Sequence, residues 1–208
     1  MPEPDSARRT SNKRGLATRE AILTAAIEAL ATGDPAAVSA NRIAKKIGLT
    51  WGTVQYQFGD ADGLWAAVLH HTAERRADVF AATDTGVPLR TRVEAIVNTL
   101  YKGLDAPDSR AIENLRAALP RDPDDLDRLY PNTAAELRSW GLSWNETCQK
   151  AFADLQIDPR RIRKVALFIP GAMRGLVSEK QLGSFHDLNE ARDGLASAIV
   201  AYLTAADA

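Results

Sequence analysis

The stretch Ser39-Ala-Asn-Arg-Ile-Ala-Lys-Lys-Ile-Gly-Leu-Thr-Trp-Gly-Thr-Val-Gln-Tyr-Gln-Phe58 decides the fold. Ser39 and Thr50 are both residue types that cap helix N-termini, and each precedes apolar positions three and four apart. Ile43, Ala44 and Ile47 line one face of a short helix that Gly48 ends. Thr50 opens a second helix, over about Trp51 to Gln57. Two short helices joined by a glycine turn form a helix-turn-helix, a motif whose second helix enters the major groove of DNA.

The second helix of the motif has a readable outward face. With Val54 as the inward reference, about 100° per residue puts Phe58 about 40° away, toward the core. Gly52 and Tyr56 fall about 160° and 200° away and point outward, flanked by Gln55 and Thr53. This face is uncharged but rich in hydrogen-bonding groups. Gly52 leaves room for a base edge or a phosphate to come close, and Gln55 can pair bidentately with adenine. Thr53 and Tyr56 suit phosphate oxygens. Trp51 has two readings, contact with a thymine methyl or packing on the neighbouring helix. Lys45 and Lys46, on the preceding helix, read as phosphate contacts or as a solvated face. The candidate DNA-contacting set is therefore Lys45, Lys46, Thr50, Trp51, Gly52, Thr53, Gln55, Tyr56 and Gln57.

The pattern outward from this motif is helical. Ile22, Leu23, Ala26, Ile27 and Leu30 form one stripe of a helix from about Thr18 to Ala31, stopped by Gly33-Asp34-Pro35. Asp60 caps a fourth helix that buries Leu64, Trp65, Val68, Leu69 and Thr72. Further helices are expected from Pro88 to about Gly103, over 108–118, from Pro131 to Leu155, from Asp158-Pro159 to about Ser178 with Pro170 inside, and over 187–205. Asp122 to Asp125 reads as a turn or a short helix start. Residues 1–15, poor in large apolar side chains, read as a flexible basic arm. The sequence thus predicts an all-α chain with no convincing strand, divided into the arm, a DNA-binding unit over 16–60 and a ligand-binding and dimerisation unit over 61–208.

Charge supports the same division. The 208-residue chain has a net charge of −1, but residues 6–58 hold eight Lys/Arg against three acids, while 59–208 hold 18 against 22. A basic head on an acidic body suits a polyanion at the N-terminal end. One cysteine, Cys148, excludes an internal disulfide and a cysteine zinc cage. His70 and Glu74, four apart, are too few for a metal site. No apolar run approaches the roughly 18–20 residues of a membrane span, and the N-terminus lacks the apolar core of a secretory signal. The expectation is a cytoplasmic protein with no cofactor and no membrane partner.

Residues 16–71 resemble the N-terminal domain of the TetR family of bacterial transcriptional regulators. The likeness rests on Thr18-Arg-Glu-Ala-Ile-Leu23, Gly33 and Ser39. It continues through Ile43-Ala44, Ile47-Gly48-Leu49-Thr50, Gly52-Thr53-Val54, Tyr56, Phe58, and Asp60 with Leu64. Trp51, Gln55, Gln57 and Ala61 depart from the family's usual residues. The departures imply an unusual operator preference and the loss of one phosphate contact at Ala61. The resemblance implies a homodimer on palindromic double-stranded DNA, most simply a repressor, with a small-molecule ligand in a helical body and the last two helices as the dimer interface. The apolar faces of those helices, Ile162, Val165, Ile169, Met173 and Leu176 on one and Leu188, Leu195, Ile199 and Leu203 on the other, serve either that interface or an intramolecular core. Trp140, Trp144, Cys148 and Phe152 step by four along one helix and read either as a ligand-pocket wall or as core. Asn114 is a candidate polar group of the same pocket. Two alternatives remain: an adaptor of the same fold with a filled core and a protein partner, and a small helical enzyme, against which the lack of an acid, base or metal constellation counts.

Overall fold

The computed structural model describes residues 4–81, 86–104, 106–183 and 188–205, with side chains from 13 to 75 and from 86 onward within those spans. Among the described residues there are ten α-helices, one short 3-10 turn and no strand. The helices are α1 (Pro4–Leu30), α2 (Ala40–Lys46), α3 (Trp51–Phe58), α4 (Ala61–Ala81) and α5 (Leu89–Leu104). They continue as α6 (Pro107–Ala118), α7 (Pro123–Leu129), α8 (Pro131–Ala151), α9 (Pro159–Leu182) and α10 (Asn189–Thr204). No described helix is long and apolar enough to cross a membrane.

Helix α1 corrects the expected helix start near Thr18, because it begins at Pro4 and takes in the basic segment before Leu16. Proline fits a first helical turn, and Ala7, Arg8, Arg9, Lys13 and Arg14 are good helix formers. A shortage of apolar residues removes a reason to pack, not the ability to coil. Thr18 lies mid-helix, its hydroxyl donating to the Arg14 carbonyl at 3.0 Å. At the other end of the chain α9 runs past Ser178 to Leu182, and Gly183 stops it at φ 72°.

The chain forms two compact units, Met1–Glu74 with Pro107–Leu137, and Arg75–Ala106 with Arg138–Ala208. In the first, α1 packs against α6, α2 and α3. Ile22, Ala26 and Leu30 of α1 and Ala111, Ile112 and Leu115 of α6 are buried. Asn114, also on α6, donates from Nδ2 to the Leu30 carbonyl at 2.5 Å, which also accepts from the Gly33 N–H at 3.3 Å, and so ties α6 to the end of α1.

The start of α8 is capped from a distance. The buried Asp62 carboxylate of α4 accepts from the Asn132 N–H at 2.8 Å, from Asn132 Nδ2 at 2.9 Å and from the Thr133 N–H at 2.8 Å. Helix N-termini carry unpaired N–H groups, and a carboxylate answers both their hydrogen bonds and their partial charge. Asp62→Ala would strand these donors in a buried place. It is expected to cost about 1–3 kcal/mol of stability, read as a lower urea midpoint. In the first turn of α4, Gly63 is obligatory, since a Cβ there would lie 1.9 Å from the Phe58 carbonyl oxygen.

In the second unit α5, α9 and α10 pack together around Val93, Val97, Ile162, Val165, Ile169, Met173 and Ile199. Arg92, buried in this core, donates to the Ala151 carbonyl at 2.7 Å and to both carboxylate oxygens of Asp154, Nη2 meeting Oδ2 at 2.9 Å. This clasp explains why α8 ends at Ala151 and not at Leu155. The chain tightens into i→i+3 bonds there, such as Leu155 N–H to the Phe152 carbonyl at 3.0 Å, and delivers Asp154 to Arg92. The Arg92 hydrogen bonds hold the Asp154 carboxyl at about 2, below its ordinary 3.8. A pKa lowered by folding adds stability above the unfolded value and loses it as pH falls through the folded one. Asp154→Asn is therefore expected to flatten the fall in melting temperature between pH 4 and pH 2, the window set by 3.8 and about 2.

Candidate nucleic-acid interface

The α2–turn–α3 segment forms as its caps and apolar spacing require. Ser39 Oγ accepts from the Arg42 N–H at 3.4 Å, and Ile43 and Ala44 are buried. Gly48, at φ 71°, turns the chain in the left-handed region where glycine is favoured, and the Leu49 N–H closes on the Ala44 carbonyl at 2.9 Å. Thr50 Oγ1 accepts from the Thr53 N–H at 3.3 Å and lies 3.1 Å from Thr53 Oγ1. Two hydroxyls joined by one hydrogen bond keep one proton for an outside acceptor.

Val54 is fully buried, whereas Gly52 and Gln55 are exposed and Tyr56 is 87% exposed. Trp51, Thr53 and Gln57 are half-buried at the edges of this face. The fold does not need a glycine at 52, because an added Cβ would meet only Thr50 Oγ1, at an ordinary 3.7 Å. Lys45 and Lys46 are exposed on α2. Lys46 Nζ stands 4.0 Å from Glu28 Oε2 in a solvated pair, which leaves Lys45 the less encumbered cation of the two.

Arg19 is a residue the sequence pattern did not single out. Its Nη1 donates to the Gln57 carbonyl at 2.8 Å, and its guanidinium lies 4.3 Å from the centre of the Phe58 ring. It therefore ties α1 to the end of α3 through a C-terminal carbonyl and a cation–π contact. A methionine keeps the length of the stem and removes both contacts. Arg19→Met is expected to weaken DNA binding about fivefold to tenfold with no change in salt slope, because a positioning residue neutralises no phosphate. The check is a fluorescence-anisotropy salt titration.

Asn114 belongs to the first unit and braces α1, while Trp140, Trp144 and Cys148 stand on α8 in the second unit, with Phe152 just past its end. Cys148 and Phe152 are buried in the second unit's core, where burial pushes the thiol up to about 12 and makes it a poor nucleophile. Trp144 packs against that core and donates from Nε1 to the Ala166 carbonyl at 2.8 Å. Trp140 differs, because its indole nitrogen is shielded from solvent without a hydrogen-bond partner, as is Asn145 Oδ1.

Among solved structures, a protein from Rhodococcus sp. described as a TetR-family transcriptional regulator superposes with a TM-score of 0.64 at 22% identity, over 89% of this chain and 98% of that one. The fold is that of the TetR-type regulators. The multidrug binding protein EbrR, in its complex with imidazole, matches with a TM-score of 0.64 at 19% identity, over 91% of this chain and 96% of its own. No family model and no curated protein matches the chain. The TetR-type architecture extends the likeness from residues 16–71 to 89% of the chain.

Proposed function

We propose that this chain is a homodimeric, sequence-specific DNA-binding transcriptional regulator, acting as a repressor that a small molecule releases. The carrying observation is the outward face of α3, where Gly52, Gln55 and Tyr56 are exposed on a capped helix anchored by Val54. In this reading Gln55 and Gly52 meet base edges, and Tyr56, Lys45 and the Thr50–Thr53 pair meet phosphates. Selection of bound sequences from random duplex tests it. Enrichment of an inverted repeat supports the reading, and recovery of unenriched DNA rejects it.

The dimer surface we propose is not the strongest apolar face of the last two helices. Ile162, Val165, Ile169, Met173, Ile199 and Leu203 fill the core of their own unit. The expectation that these residues include the interface is therefore shifted round the helices. A second stripe stays exposed on α9, with Leu167 at 72% and Leu182 at 75%, joined by Phe168, Gly171 and Gly175. On α10, Ala191, Gly194, Ala201 and Tyr202 are exposed along one face. Small residues let two helices of a partner copy approach closely, and exposed leucines supply the apolar area.

For the ligand, the unpartnered Trp140 and Asn145 atoms mark the middle of α8 as a place where polar contacts are missing. The likeness to a multidrug binding protein supports an apolar molecule with a few polar atoms. We place it against Trp140 and Asn145, with Trp144 behind and Cys148 and Phe152 as supporting core.

A further inference from the structure

The first unit contains a groove of about 920 Å³ lined by α1, α3, α4 and the first turns of α8. Leu23, Phe58, Ala66 and Ala67 give it apolar walls. Two imidazoles stand among carboxylates along it. His70 Nε2 lies 3.4 Å from Glu74 Oε1, and its Nδ1 lies 3.4 Å from Glu136 Oε1. His71 Nε2 lies 3.7 Å from Glu20 Oε1.

A neutral imidazole has a single N–H. His70 in that form can serve one of its two carboxylates and must turn a lone pair toward the other. The arrangement is complete only when a positive charge is added, either a second proton on the ring or a cation from outside. Among the described residues, the lining of the groove does not supply that cation. Arg19, the arginine lining the groove, already lies on the Phe58 ring and bonds the Gln57 carbonyl. No three His, Cys, Asp or Glu among the described residues converge as a metal site would require. The space and the apolar walls instead suit a cation with an organic body.

We propose that this groove binds a small organic ammonium ion. The charge is met by Glu74 and Glu136, the carboxylates that flank the His70 ring, and the apolar part lies on Leu23, Phe58, Ala66 and Ala67. The inference does not depend on the DNA-binding reading, because it needs only the folded first unit. The titratable and charged groups facing the site are Arg19 and Glu20 from α1, His70, His71 and Glu74 from α4, and Glu136 from α8, while α3 contributes only Phe58. Protons on the imidazoles compete with the ligand.

The test is a titration of the full chain with 2-phenylethylammonium, and in parallel with 2-phenylethanol, which keeps the skeleton without the charge. The readout is the imidazole C–H proton signals of His70 and His71 by NMR, assigned from His70→Gln and His71→Gln variants. The ammonium is expected to move both signals to saturation. Its affinity should fall about fivefold for each of Glu74→Gln and Glu136→Gln, two substitutions at a partly solvated rim. Signals that stay still with the ammonium, or that move equally with 2-phenylethanol, overturn the proposal. So does binding that both glutamine variants retain at full strength.

Discussion

Gly52→Val is expected to abolish specific DNA binding while leaving the protein folded. The Cβ position at residue 52 meets nothing closer than 3.7 Å within the chain, so the side chain added there projects from the exposed face of α3. Valine is a better helix former than the glycine it replaces, so the substitution has no cost in helix propensity. On the DNA side it enters the space in which a base edge or phosphate must lie. The loss is the whole margin of specific over non-specific binding, about a thousandfold or more. Circular dichroism and the melting temperature should match those of wild type, and the electrophoretic shift on the selected operator should vanish. A variant that binds the operator normally would place the DNA contact elsewhere on α3.

Leu167→Glu is expected to have the second large effect. Leu167 is 72% exposed, so a carboxylate there is harmless within one protomer. Across a two-fold interface it adds a like charge from each copy and removes apolar area. The chain should sediment as a dimer at micromolar concentration and the variant as a folded monomer. Operator affinity should then fall on the order of a hundredfold, because two linked half-site contacts become independent. Ile199→Glu makes the contrast. Ile199 is fully buried in its own unit, and a charge there should unfold the chain and not merely separate two copies. If Leu167→Glu stays dimeric, the exposed stripes on α9 and α10 do not form the interface.

The elements that the sequence resolved are those whose signals are local. Ser39, Thr50, Asp122 and Asp158 cap the helices they precede, and Gly48 takes a positive φ after the helix it ends. The inward Val54 and outward Tyr56 follow from helical period alone. What stayed hidden depends on residues far apart in the chain. Asp62 caps a helix 70 residues later, Arg19 reaches 38 residues to Gln57, and Arg92 reaches 62 to Asp154. Nothing in local pattern marks an aspartate in a first turn as the cap of another helix. The apolar faces of α9 and α10 were readable, but periodicity does not say whether such a face meets its own chain or a second copy. Likewise a four-residue step of Trp140, Trp144, Cys148 and Phe152 describes a stripe, and only packing separates its buried half from the end that keeps unpaired polar atoms.

The most direct measurement is a salt titration of wild type, Gln55→Ala and Tyr56→Phe on the selected operator and on a scrambled duplex of equal length. Wild type should prefer the operator by about a thousandfold or more and show a steep negative dependence on salt for both. Gln55→Ala should lose about 1–3 kcal/mol on the operator only, and Tyr56→Phe should weaken both duplexes alike at unchanged salt slope. A wild type that binds operator and scrambled DNA equally, or that binds neither, would contradict the assignment of α3 as a sequence-reading helix.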